Sequence, residues 1–82
     1  MIYPIFCMRD HMTGYMNPFV ATNEGVAKRD FKILVNDRDQ KLAFNPQDFD
    51  LYKLGEFDTE TGKIKPCEPD LLVTGLSVFK EN

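Results

Sequence analysis

The 82-residue chain carries 43% hydrophobic and 28% charged side chains and a formal net charge of −3, which fits one globular domain and leaves no room for a second. A folded chain of this length buries only about 60 to 65% of the surface it exposes when unfolded, so the core must be thin and one face of any sheet should stay open or meet a partner. The acidic balance argues against a protein that coats nucleic acid by bulk counterion release, which takes a basic surplus, and no apolar run approaches the roughly 18 residues of a bilayer span, so no membrane partner is expected.

Ile2 to Arg9 alternates as a strand, with Ile2, Phe6 and Met8 on one face and Tyr3, Ile5 and Cys7 on the other. Both faces carry apolar bulk, while Pro4, which cannot donate to a ladder, points to an edge strand or to a strand's first residues. Asp10 to Gly14 reads as a turn closed by a left-handed glycine, and Tyr15 to Ala21 runs back, interrupted at Asn17 and Pro18 by a bulge or an irregular approach. The opening MIYPIFCMRD lacks the basic leader, long apolar core and cleavage site of a secretory signal, so the expected compartment is a cytosol.

Thr22 or Asn23 caps an α-helix predicted from about Glu24 to Val35, with Glu24 placed where a carboxylate meets the helix dipole favourably. Val26, Ala27, Phe31, Leu34 and Val35 share one face, and Lys28, Arg29 and Lys32 lie toward the other. Asn36 to Gln40 is a polar run that ends the helix. Leu42 to Phe44 reads either as a short extended piece or as a further helical turn, and Asn45 followed by Pro46 predicts a single helical or 3₁₀ turn.

Asp48 to Ile64 is the clearest element, a β-hairpin. Its apolar run from Phe49 to Phe57 ends in the turn residues Asp58 to Gly62, where Gly62 suits the left-handed position of a type I turn with a bulge. Gly55 marks a bulge or a close backbone approach. Pro66 to Asp70 reads as an irregular connection, because two prolines so close together interrupt ladders and helices. Leu71 to Phe79 is a last strand or a poor helix, and its β-branching and Gly75 favour the strand. Lys80 to Asn82 should fray. These elements predict a single α+β domain over residues 1–82, in the order β-β-α-β-β, with two hairpins forming an antiparallel sheet and one amphipathic helix packed on one face.

Two blocks of the chain, PFVATNEGVAKRDFKILVND from Pro18 to Asp37 and NPQDFDLYKLGEFDTETGKI from Asn45 to Ile64, resemble the small nonstructural protein of gokushovirus-type microviruses, single-stranded DNA phages of bacteria. The ordered run Pro46, Asp48, Leu51, Tyr52, Gly55, Phe57 and Gly62 carries most of the likeness, which extends from Met1 to Ile64. The resemblance implies a protein made in the cytoplasm of the infected bacterial host, absent from the mature capsid, and tied to single-stranded DNA synthesis or to the switch toward packaging. It brings no binding residues that map onto this chain. The acidity departs from the picture of a DNA coat protein and leaves local or complex-mediated contact.

Local contact with single-stranded DNA needs positive charge along a groove and aromatic faces for stacking. Lys28, Arg29 and Lys32 on the outer side of the helix are the best basic cluster, with Arg9, Lys63 and Lys65 as contributors if the hairpin ends fold near it. Tyr3, Tyr15, Tyr52 and Phe19 are the candidate platforms. The bland alternatives are a solvated helix face partly balanced by Glu24 and Asp30, and aromatics spent on a thin core. A second hypothesis is a homodimeric protein-interaction module that recruits viral replication, capsid or host factors through an open sheet face or an edge strand such as Ile2 to Met8. A third, a small hydrolase or nuclease using Asp48, Asp50 and Asp58 with a metal, is the least supported: no nucleophile motif, phosphate loop or metal-ligand spacing is present, and no cofactor is expected. His11 reads as a surface histidine, and Cys7 and Cys67 as two reduced, half-buried thiols.

Overall fold

The computed structural model describes residues 1–39 and 45–80. Leu42 to Phe44, for which two readings were open, lies outside them, as do Glu81 and Asn82. Five strands and a main helix follow in the order β1 (Ile2–Asp10), β2 (Gly14–Tyr15), β3 (Phe19–Val20), α1 (Glu24–Asn36), β4 (Phe49–Asp58) and β5 (Ile64–Thr74). A 3₁₀ turn at Pro46–Asp48 precedes β4, and a single helical turn, α2 (Gly75–Val78), follows β5. The predicted α+β class and antiparallel sheet hold, with the first return strand split in two at Met16 to Pro18.

The sheet order is β2-β1-β4-β5, and β3 also pairs with β1. β1 is therefore interior, so of the two readings of Pro4 the edge strand fails and the strand's first residues holds, Pro4 being the third residue of β1. It pairs with β4 along its whole length, from Ile2 opposite Asp58 to Asp10 opposite Phe49, and with β3 and β2 on its other side. Proline is tolerated there because it costs the long β1–β4 ladder no hydrogen bond. The Pro4 carbonyl accepts from the Ala21 N–H on the β3 side, and in an extended residue the nitrogen points the same way, away from β4.

β5 corrects a second expectation. Pro66 to Asp70 belongs to an eleven-residue edge strand rather than to an irregular connection. The Asp58 N–H donates to the Lys63 carbonyl, and alternation from that pair turns the nitrogen of Pro66, which lies opposite Gly55, outward from the sheet. Two register shifts, between Leu51 and Tyr52 and between Lys53 and Gly55, take up the extra residues of β5. Leu71 to Phe79 is strand as far as Thr74 and then helical, so each of its two readings describes part of it.

Asn23 caps α1 by accepting from the Val26 N–H at 2.9 Å. One side of the helix buries Ala27, Phe31 and Val35 against Phe6, Phe49 and Leu51. Met8, Phe19, Leu34, Leu72, Val73, Val78 and Phe79 close the margins of this cluster. Gly75 permits α2 to seat closely, since a Cβ there would lie 2.6 Å from the Phe49 carbonyl oxygen. Lys80, expected to fray, donates its N–H to Asn36 Oδ1 at 2.7 Å. Both hairpin glycines are left-handed, Gly14 at φ 108° and Gly62 at φ 74°, and at Gly55 a Cβ would run into the Lys65 carbonyl. The core thus occupies one side of the sheet. On the other side, no helix covers the strands among the described residues.

Candidate functional site

Strand alternation builds the site on the uncovered side. Phe49 and Leu51 of β4 point into the core, so Asp50 and Tyr52 point away from it. Register then brings Cys7 opposite Tyr52, Arg9 opposite Asp50, and Tyr15 of β2 opposite Arg9. The Tyr15 and Tyr52 rings meet edge to face, their centroids 5.4 Å apart and their planes at 74°. The Arg9 guanidinium carbon lies 5.6 Å from the Tyr15 centroid, a cation–π contact. Tyr15 keeps 48% of its surface exposed.

Beside this pair sits a buried charge. Asp50 is only 6% exposed, and its Oδ2 lies 2.5 Å from His11 Nε2. The His11 backbone N–H donates to the Asp48 carbonyl at 2.8 Å, which fixes the turn over β4. Arg9 Nε is buried with no hydrogen-bond partner among the described residues. Cys7 lies on the same side, its thiol donating to the Met16 carbonyl at 3.0 Å. Burial pushes that thiol up from its ordinary pKa, against a smaller opposing effect of the Met16 hydrogen bond.

The sequence candidates therefore separate into groups. Arg9, Tyr15 and Tyr52 come together, on the side of the sheet opposite the helix. Lys28 and Arg29 stay on the outer face of α1, where Lys28 Nζ pairs with Glu24 at 2.9 Å and Arg29 Nε with Asp30 at 3.4 Å. Two of the three rim cations thus have a carboxylate beside them, and Lys32 is exposed. Lys63 and Lys65 border a groove at the turn end of the β4–β5 hairpin, distal to the tyrosine pair, with Ile2, Ile64 and Pro66, so they extend neither the helix face nor that pair. Tyr3 donates its hydroxyl to Met1 Sδ at 3.3 Å and borders a shallow depression with Val26 and Asp30. Phe19 packs on Phe6 with centroids 5.9 Å apart and serves the core.

His11 and Asp50 were missed as a pair. They are 39 positions apart, and only the β1–β4 register joins them. The available signal was the charge of Asp50 inside an otherwise apolar strand. His11, read as a surface residue, has a side chain 42% exposed but anchored. The two thiols also differ, Cys7 being buried and Cys67 exposed, and both are free. No group of three or more His, Cys, Asp or Glu among the described residues is placed to hold a metal ion, and no described helix is long and apolar enough to cross a membrane. Chemically, the arrangement offers an aromatic face with a guanidinium beside it, the combination that stacks an unpaired base and neutralises its phosphate.

The family described as Phage ORF5 protein matches residues 3–78 of the chain. No curated protein and no solved structure matches.

Proposed function

The chain belongs to the phage ORF5 protein family, and on that premise we propose that it is a nonenzymatic protein of the infected bacterial cell that contacts viral single-stranded DNA during synthesis or packaging. The microvirus resemblance of the Pro18 to Asp37 and Asn45 to Ile64 blocks supports the link to single-stranded genomes. The observation that carries the reading is the Tyr15–Tyr52 pair with Arg9 over it, on a sheet face that no described helix covers. An edge-to-face pair spent on packing alone would also stabilise the sheet, by about 0.5 to 1.5 kcal/mol. The half-exposed Tyr15 ring favours a role in stacking. Lys28, Arg29 and Lys32 act as a secondary, longer-range attraction. With a net charge of −3, contact is local and weak rather than a stoichiometric coat.

Fluorescence anisotropy with a labelled oligothymidine tests this. Affinity should fall with salt, by a logarithmic slope of about 0.7 per phosphate neutralised. Tyr15→Ala and Tyr52→Ala should each lose roughly 5- to 150-fold, the equivalent of one base stack of about 1 to 3 kcal/mol. The Lys28→Ala, Arg29→Ala, Lys32→Ala triple variant should lose less. A flat titration at low salt overturns the reading, as does full binding by both tyrosine variants.

The distal groove favours a second reading, a protein-interaction module without DNA contact. Ile2 and Ile64, which border it, are 56% and 64% exposed. A homodimer, or capture of viral replication or capsid proteins, would cover them. Concentration-dependent sedimentation that Ile64→Glu abolishes would support the homodimer, and a monomer at all concentrations would remove it.

A further inference from the structure

The second inference rests on the platform reading and concerns the group beside it. Asp50 is the one charged residue buried among the described residues. A carboxylate withdrawn from water needs a donor, and His11 Nε2 stands 2.5 Å from its Oδ2. A buried carboxylate only accepts, so it holds the imidazole proton on Nε2. The other ring nitrogen, Nδ1, is then an acceptor whenever His11 is neutral, and it has no hydrogen-bond partner among the described residues. A bare lone pair of this kind repels a phosphate oxygen. Protonation turns Nδ1 into a donor while Nε2 keeps its bond to Asp50.

The surrounding charges decide how much this matters. Arg9 approaches from β1, directly opposite Asp50, and Asp10 precedes His11, its carboxylate accepting the Met12 N–H at 2.9 Å. From β2, β4 and β5 the neighbours on this side are Tyr15, Tyr52 and Thr74, none of them charged. Asp48 contributes its backbone carbonyl. With His11 neutral, Arg9 offsets one of the two carboxylates, Asp50 and Asp10, and a proton on His11 removes the remaining local negative charge that would repel a phosphate.

We infer that His11, oriented by Asp50, is a second phosphate contact of the tyrosine platform and engages the strand only when protonated. Single-stranded DNA affinity is then higher in acid than in mildly alkaline solution.

The test is oligothymidine anisotropy across a salt series at about pH 8 and about pH 5.5. The intact protein should bind roughly two- to fivefold tighter at the lower pH, the scale of one exposed charge contact. Its logarithmic salt slope should steepen by about 0.7, one added phosphate. His11→Gln should bind as the intact protein does at the higher pH and show neither change. Asp50→Asn, which keeps shape but removes the carboxylate, should bind more tightly at the higher pH, with circular dichroism confirming that it is folded. Equal affinity and slope at both pH values overturn the His11 contact and leave the tyrosine platform standing. A pH response retained in His11→Gln overturns it equally, and absence of binding at either pH removes both.

Discussion

Phe31→Ala should take a large share of the stability of this domain, while Ile33→Ala, two positions along the same helix, should take almost none. Phe31 is 2% exposed and packs in the cluster that joins α1 to Phe6 and Leu51. Removing the ring forfeits its transfer energy and leaves a cavity, at about 3 to 5 kcal/mol for a buried aromatic. A domain of this length holds only about 4 to 12 kcal/mol in total, so the variant should unfold at a much lower urea concentration and lie near the edge of folding. Ile33 is 61% exposed. Its truncation loses little burial and gains about 0.4 kcal/mol of helix propensity, for a net change within about 0.5 kcal/mol. Urea titrations followed by far-ultraviolet circular dichroism, compared at equal slope, read both values. A Phe31→Ala loss below about 1 kcal/mol, or an Ile33→Ala loss of similar size to the Phe31→Ala loss, would show that α1 does not present the face described here.

Two further outcomes follow from the thiols and the hairpin turn. Burial raises the Cys7 pKa and so lowers its thiolate fraction at any given pH, whereas Cys67 is exposed. A thiol reagent near pH 8 should therefore modify one cysteine quickly and the other only as the chain unfolds, with peptide mapping assigning the fast one to Cys67. Equal rates in the native protein would contradict the burial of Cys7. The Asp58 carboxyl is held below its ordinary value, first by the Glu60 backbone N–H, with desolvation opposing it and Thr61 and the terminal amine adding smaller lowering effects. A depressed carboxyl contributes stability above its unfolded pKa and loses it as pH falls through the folded value. Asp58→Asn should flatten the acid limb of a plot of urea midpoint against pH, and an unchanged limb would count against the turn geometry.

Local chemistry made much of the fold readable from the residues. The periodicity of α1, its Asn23 cap and the glycines at 14 and 62 each act within a few positions, where sequence spacing and geometry coincide. Pro66 misled because proline's constraint depends on which way its nitrogen points, and that is set by the strand it pairs with rather than by its own neighbours. The candidate site was readable only in pieces. Arg9, Tyr15 and Tyr52 stood out as a cation and two aromatics, but nothing in their spacing shows that β1 places them opposite the helix, and grouping Arg9 with Lys28 required a proximity that the sheet prevents. The His11–Asp50 contact depends on register across 39 positions, beyond the reach of any local pattern.

Leu51 and Tyr52 are neighbours in the chain, yet one fills the interior beneath α1 and the other lies on the uncovered face, where the contact proposed above would form. Packing and the make-up of the uncovered face are therefore set by a single short frame, and one residue inserted between Phe49 and Lys53 would turn the β4 side chains beyond it to the opposite face. The Asp58 to Lys63 tip is fixed differently, by the left-handed Gly62, whose N–H donates to the Asp58 carbonyl, and by the Thr59 N–H, which donates to the Met1 carbonyl.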